Sequence, residues 1–492
     1  MNEEQIRKKN LWMFSLGTVG RDMIYALYTN YILTFILFTR ALTPAQLMSI
    51  TGIMVAARIF DALNDPIMGN IIERTRTKWG KFKPWLAIGI LSTSVVVYLA
   101  FNTRLTGWAF IVFFGVIYFS YSITYTMHDI SYWGMIPSLG SDADARNQFT
   151  SRATLFAGVG GTLAGMLIPI FTTGSGTIGG SAQKAYGIIA LVVCILAPLF
   201  LAFTIFGVTE TRTADNEPAP PISFKKIIGT ITGNDQLRWI AVIFLLQQIG
   251  NGIILGGLGS TYIYFDFGYE GGLYSTFSTI GLAVTAVLMV FYPAISRKMH
   301  RKELMRIMAV TGSAGYAVMI LAGIGMHASM VKFWIITVGY MLANFGQYGF
   351  YLIMMISIIN TVEYNEYKHG TRDEAIIASL RPFLTKLASA LCIVIVTVSY
   401  LIFGVTNYTN QISDYEQMAS LGEITDEAKL SGIAGIIGNV AHGQTVGLLL
   451  SMTVLPCALM LASYFLYKKH YVLDEEEYDR ICAELDKRNN RG

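Results

Sequence analysis

The sequence predicts an all-α membrane protein with twelve transmembrane helices arranged as two six-helix bundles. Three observations carry this. Charged residues make up 14% of the 492-residue chain and hydrophobic residues 53%, where a soluble domain holds about 25% charged residues. The apolar residues fall into about twelve runs, most of them long enough to cross a hydrocarbon core about 30 Å thick. The basic clusters lie in the tails or in alternate loops: Arg7-Lys8-Lys9, Arg74 to Lys83, Lys225-Lys226, Arg297 to Arg306 and Lys468-Lys469. The positive-inside bias then puts both termini in the cytoplasm, which requires an even number of spans. The number and length of the runs rule against the buried helices of a large soluble protein. The net charge of +4 is accounted for by topology and does not point to nucleic-acid binding.

The elements follow in order. The first span, 11–38, carries Arg21-Asp22, and the second, 46–72, carries Arg58, Asp61, Asn64 and Asp65. The third, 84–102, is apolar. The fourth, 106–137, contains Tyr125-Thr126-Met127-His128-Asp129-Ile130-Ser131-Tyr132-Trp133, and the fifth, 150–173, opens with Arg152. The sixth, 185–208, closes an N-terminal bundle of residues 1–208. Residues 209–235 are polar and hold Pro218, Pro220 and Pro221, which suits a cytoplasmic linker. The C-terminal bundle, 236–467, contains spans at 237–265, 272–296, 307–327, 332–359, 376–406 and 441–467. Its polar groups are mostly neutral: Gln247, Gln248, Asn251, Asn344 and Gln347, for which interhelical hydrogen bonding is the default reading. The eleventh span adds Arg381 and Lys386, five residues apart and so on different faces of the helix, with Lys386 the better candidate to face a cavity. In the outside segment 407–439, Thr425-Asp426-Glu427 is suited to open a short surface helix. The tail, 468–492, is cytoplasmic and too short for a signalling domain.

The second span carries the sharpest chemistry. Asp61, Asn64 and Asp65 stand at i, i+3 and i+4 and share one helical face. Each acid costs ~2.5–3.5 kcal/mol at mid-membrane. Two carboxylates and an amide oxygen form a hard-oxygen site suited to a small cation. Arg58, one turn earlier, is the first candidate for a structural counter-charge. On the fourth span Tyr125, Asp129 and Trp133 recur at i, i+4 and i+8, an acid beside aromatic planes. A carboxylate accepts from vicinal sugar hydroxyls while an aromatic face stacks on the ring's apolar side. Against this, the aromatics can be packing or interfacial residues, and Asp129 can be paired with an arginine. His128 lies off that face and reads as a packing histidine. Cys194, Cys392 and Cys457 fall in spans and Cys482 in the tail, with no disulfide or metal spacing. The N-terminus has neither the n-region nor the cleavage site of a signal peptide.

Asp61-Ala-Leu-Asn64-Asp65-Pro66-Ile-Met-Gly69 and Thr75-Arg76-Thr77-Lys78-Trp79-Gly80-Lys81-Phe82-Lys83-Pro84-Trp85 form a long signature. With Thr124 to Ile130 and Trp133, Asn234-Asp235-Gln236-Leu237 and Thr361-Val362-Glu363-Tyr364, they make the chain resemble the glycoside–pentoside–hexuronide:cation symporters. These are the melibiose-carrier-like branch of the major facilitator superfamily. The resemblance implies the major facilitator fold and uptake of a glycoside with Na⁺, Li⁺ or H⁺. It implies a cation site at Asp61, Asn64, Asp65 and Thr126, and a sugar site drawing on Asp22, Tyr125, Asp129, Trp133, Arg152 and Lys386. The chain departs from the branch at Arg21 (lysine there), Tyr351 (tryptophan), Arg381 (glutamine) and His128 (an apolar residue). Arg21, Tyr351 and Arg381 therefore alter the wall of the expected pocket, and a galactoside preference does not transfer.

The expected activity is symport of a sugar or glycoside with a monovalent cation, Na⁺ first, by alternating access in the cytoplasmic membrane, with no cofactor. H⁺-coupled symport or exchange of a glycoside or hexuronide is the alternative on the same fold. A membrane sugar sensor and a lipid carrier are remote ones. No nucleophile–base pair, metal-binding cluster or phosphate loop points to an enzyme. The loops Thr75 to Lys83 and Arg297 to Arg306 are expected either to set topology alone or to act as gates, pairing with acids such as Glu73 or Glu363 when the carrier faces outward.

Overall fold

The computed structural model describes residues 3–140, 143–209, 224–296 and 298–489. Every regular element among them is helical. Twelve long helices follow in chain order: α1 Glu3–Thr39, α2 Pro44–Arg74, α3 Lys83–Asn102, α4 Gly107–Gly134, α5 Ala143–Thr172, α6 Ala182–Gly207, α7 from Asp235 to Phe267, α8 Gly271–Ser296, α9 Arg301–Gly325, α10 Met330–His369, α11 Glu374–Ile402 and α12 His442–His470. α3 to α12 are long and apolar enough to cross a membrane as single rods, and α2 is so as a bent pair. α1, which bears Arg21 and Asp22, is 37 residues long, about 55 Å at ~1.5 Å per residue. Several of the long helices leave an apolar face uncovered. On α3, Ile88, Leu91 and Val95 are each more than half exposed at i, i+3 and i+7, the stripe that hydrocarbon covers.

Local chemistry explains the ends and breaks. Thr43 and Gln46 form a capping box at the start of α2, with Pro44 in the first turn. α2 bends by 42° between Pro44–Asp61 and Asn64–Arg74. Pro66 cannot donate to the carbonyl of residue 62, so the ladder breaks where the acids stand. α7 contains a π-helical turn, Ile254–Leu258, in which Gly257 takes φ 130°, a value a side chain would strain.

The chain clusters into two compact units. The first holds the described residues of 1–219 together with 263–276 and 400–440, and the second those of 220–262, 277–399 and 441–492. The units therefore cut across the two sequence halves: the corner between α7 and α8 and the segment after α11 pack with the N-terminal helices.

In the first unit α1 packs chiefly on α6 and α5, and α2 on α4. The corner is tied down by Gly271 N donating to Thr173 O (3.2 Å), Ser275 Oγ to Met166 O (2.8 Å) and Ser175 Oγ to Glu270 Oε2 (2.9 Å). The segment after α11 forms two helices, Val405–Leu421 and Asp426–Gly438, the second capped by Thr425 as its sequence suggests. Asn410 accepts from Leu42 N (2.8 Å) and donates to Leu42 O (3.0 Å). Glu416, fully buried, accepts from Ala182 N (2.6 Å), and buried Lys429 donates to Gly180 O (2.8 Å) while lying 3.9 Å from Glu416. Burial pushes the Glu416 carboxyl above its ordinary range, outweighing Lys429 and the Ala182 N–H, which pull it down.

In the second unit α9 packs chiefly on α10, and α12 on α7. Two of the signature pieces interlock: Asn234 Nδ2 donates to Thr361 O (3.1 Å), and Tyr364 Oη to Asp235 Oδ1 (3.0 Å). Most of the expected linker, residues 210–223, lies outside the described residues, and Phe224–Gly233 is helical. The tail carries a helix, Glu475–Asn489. The two basic loops differ in the acids they meet. Lys81 does meet Glu73 (2.8 Å), but Arg301 and Lys302 meet the tail acids Glu475 (3.0 Å) and Asp474 (2.9 Å). Glu363 is taken instead by Arg372, which also holds Glu366.

Candidate ion and sugar site

The bent part of α2 faces α4. Thr126 Oγ1 donates to Asp65 Oδ1 (3.2 Å), and Ser122 Oγ donates to Asp61 Oδ1 in a short hydrogen bond. The pairs advance together by four residues on each helix, giving a two-rung ladder of carboxylate and hydroxyl. Asp61, Ser122 and Thr126 are buried and Asn64 and Asp65 partly so. The Asn64 amide nitrogen is buried without a hydrogen-bond partner among the described residues. Two carboxylates, an amide and two hydroxyls offer only neutral or anionic oxygen, which fits an alkali cation. Arg58 Nη1 lies 3.5 Å from Asp61 Oδ2, at the long end of hydrogen bonding. It is the counter-charge expected from its place one turn earlier.

Ser122 was missed by the sequence analysis. Its signal was available: it precedes Thr126 by four residues, as Asp61 precedes Asp65.

Further along α4, Asp129 and Trp133 gather with Asp22 of α1 around one guanidinium. Arg21, with a side chain only 2% exposed, donates through Nη1 to Asp129 Oδ1 (2.7 Å) and through Nη2 to Asp22 Oδ2 (3.0 Å). Its guanidinium carbon also stands over the rings of Tyr132 (4.7 Å) and Trp133 (5.1 Å). Tyr132 is fully buried, stacked on Phe14 (4.2 Å) and bonded to the Phe14 carbonyl, so it packs α4 on α1. Trp133, Asp22 and Asp129 keep partial exposure. Tyr125 lies between the rings of Tyr25 (5.3 Å) and Tyr121 (5.4 Å). The alternative that Asp129 pairs with an arginine is thus realised, with Arg21 as the partner.

Arg152 is engaged elsewhere, stacked on Trp12 (4.1 Å), and forms no ion pair among the described residues. His128 is buried against Tyr125 (4.7 Å) beside Gly89, where a Cβ would come within 2.7 Å of its backbone. It is a packing residue, but neither ring nitrogen finds a partner among the described residues. Tyr351, Arg381 and Lys386 belong to the second unit. Tyr351 neighbours the rings of Phe244 and Tyr348, Lys386 is half-buried, and Arg381 is exposed with Nη1 3.6 Å from Met355 Sδ.

Helices long and apolar enough to cross a membrane, with ionisable groups held at helix contacts inside them, define a multi-pass membrane protein. Comparison with known proteins gives the particular family: residues 13–475 match the model of the MFS/sugar transport proteins, and the chain belongs to that family, in its glycoside–pentoside–hexuronide symporter branch. It is 28% identical over 498 residues to the raffinose carrier protein of Pediococcus pentosaceus, covering 96% of this chain and 71% of that one. It is 28% identical over 485 residues to the lactose permease of Lactobacillus delbrueckii subsp. bulgaricus (96% and 72%). With the glucuronide carrier protein homolog of Escherichia coli K12 the identity is 21% over 494 residues (99% and 97%). Among solved structures, a D-xylose-proton symporter superposes with a TM-score of 0.57 at 13% identity, over 85% of this chain and 96% of that one. A bacterial homologue of the lysosomal transporter Spinster gives 0.58 at 12% (95% and 98%). These two likenesses bear on the fold alone, and the fold is that of the major facilitator superfamily.

Proposed function

We propose that the protein is a symporter that takes up a sugar or glycoside across the cytoplasmic membrane together with Na⁺, with both termini in the cytoplasm. The observation that carries the coupling ion is the ladder between α2 and α4, where each acid meets a hydroxyl on the opposing helix. Na⁺ enters between Asp61, Asn64, Asp65 and Thr126, with Ser122 as an added oxygen. It neutralises two carboxylates that otherwise repel and draws α2 and α4 together. Ser122, Thr126, Asp129 and Trp133 recur at i, i+4, i+7 and i+11, so the ion-facing and sugar-facing groups share one face of one helix. Seating the ion therefore sets the positions of Asp129 and Trp133. Asp22 and Asp129 accept from sugar hydroxyls, Trp133 and Tyr125 supply aromatic surface, and Arg21 holds both acids in place. Sugar-binding names among the relatives support the substrate class.

The contact between Arg58 and Asp61 favours a second reading on the same site. A fixed guanidinium already supplies positive charge there, and a proton carried by the carboxylate pair then replaces Na⁺.

Uptake by reconstituted proteoliposomes tests the choice. On the first reading an inward Na⁺ gradient drives accumulation of the glycoside and Asp61→Cys abolishes it. Accumulation driven by a pH gradient and indifferent to Na⁺ selects the second. A D61C protein that still concentrates sugar on a Na⁺ gradient refutes the site.

A further inference from the structure

At the end of the second unit that bears the C-terminal helix, α9 begins and α12 finishes, and a cavity of about 400 Å³ opens between them. Lys302 and Arg306 on α9 and Lys468 on α12 line it. Lys302 is bridged to Asp474 (2.9 Å), whereas Arg306 and Lys468 form no ion pair among the described residues. Both are exposed. Glu303 is the one acid on the wall, and the floor is buried Met305 and Tyr467.

Two features decide what fits. The cavity carries a surplus of positive charge even after Glu303 and Asp474 are set against the three cations, so its occupant is an anion. One turn further into the helices the surface turns apolar. Val310 lies four residues beyond Arg306 and is 64% exposed, and Phe465 lies three residues before Lys468 and is 62% exposed. Each stands on the same helical face as its cation. A charged recess at the ends of two membrane-crossing helices, continuous with a bare apolar track, matches an amphiphile whose head is an anion.

We propose that this recess between α9 and α12 binds the headgroup of one anionic phospholipid, with Arg306 and Lys468 on its phosphate and the acyl chains along Val310 and Phe465. Basic pockets between helices at this depth hold anionic headgroups by charge, while side chains such as Tyr464 close the rim. The lipid binds α9 and α12 together and stabilises the second unit.

The test is lipid retention by the full-length detergent-purified protein, read by native mass spectrometry, with thermal stability measured in parallel. Dioleoyl phosphatidylglycerol, dioleoyl phosphatidylcholine and inorganic phosphate are titrated separately. Phosphatidylglycerol is expected to be retained at one copy per chain and to raise the melting temperature, while phosphatidylcholine and inorganic phosphate do neither. At about 1 kcal/mol for each cation near an anionic headgroup, R306A/K468A is expected to weaken retention about 30-fold. Lys184→Ala, at the start of α6, should leave it unchanged. Equal retention of phosphatidylcholine, equal stabilisation by inorganic phosphate, or undiminished retention in the double variant overturns the proposal. If the double variant does not fold, the comparison of lipids on the unaltered protein and the charge-keeping R306K still decide it, since R306K should retain the lipid.

Discussion

Replacing Asp129 with asparagine removes one charge and keeps the side chain's shape. In the structure its Oδ1 accepts from Arg21 at 2.7 Å, while Arg21 also holds Asp22 at 3.0 Å. Asp129→Asn therefore leaves the buried guanidinium with a carboxylate partner. The cost to the fold stays well below the ~3–5 kcal/mol of a fully broken buried pair, the more so because the Asp129 side chain is 35% exposed and partly screened. The sugar, by contrast, loses a charged acceptor. A hydrogen bond to a charged group is worth about 1.5–3 kcal/mol, which is roughly a 10- to 150-fold loss of affinity. Isothermal titration of the purified protein at saturating Na⁺, with whichever glycoside stabilises it most in a thermal-shift screen, measures this. Na⁺ affinity without sugar should stay within about twofold of the unaltered protein, because Asp129 is not in the ladder with α2. Unchanged sugar affinity, or loss of Na⁺ binding with sugar binding intact, would refute the reasoning. Arg21→Gln, which strips both acids of their partner, should lower thermal stability as well as abolish sugar binding.

The remaining predictions concern the ladder and the far end of the first unit. Ser122→Ala removes a neutral hydrogen-bonding oxygen, about 0.5–1.5 kcal/mol, so Na⁺ titration should show roughly 2- to 12-fold weaker binding with sugar affinity at saturating Na⁺ little changed. Gly271→Ala puts a Cβ 1.7 Å from the Pro169 carbonyl oxygen, whereas at Gly272 nothing lies within 4 Å. Thermal melts should show G271A destabilised by about 1–3 kcal/mol and G272A unaffected. Because the Glu416 carboxyl is raised in the folded protein, its protonated form favours docking of Val405–Leu421. That contribution is complete below the ordinary carboxylate pKa and fades as pH climbs through the folded value. Hydrogen exchange of residues 405–438 should therefore speed up with rising pH beyond the intrinsic increase, and Glu416→Gln should remove the excess.

The membrane class and the helix count were legible because apolar runs and alternating basic loops are local properties. The helix-two acids were legible because an acid inside an apolar run needs a reason, and their spacing fixes a shared face without tertiary information. Thr126 entered through the resemblance, and its contact with Asp65 could not be read from spacing within one helix. Ser122 escaped because an intramembrane serine costs little and so attracts no notice. Arg21 shows a different limit: the sequence allowed Asp129 an arginine partner without naming it, and only the fold assigns Arg21 to both Asp22 and Asp129. The segment after α11 gave a legible cap at Thr425, yet its docking rests on Asn410, Glu416 and Lys429 meeting backbone groups of Leu42, Ala182 and Gly180. Contacts to distant backbone leave no trace in the spacing of side chains.

The central claim is that an ion held between α2 and α4 readies the sugar site on the same α4 face. Its most direct test is a pair of titrations on one preparation: sugar with and without saturating Na⁺, and Na⁺ with and without saturating sugar. The account predicts that each ligand tightens the other by the same factor, about 5- to 150-fold. Sugar affinity that does not move when Na⁺ is added would contradict it.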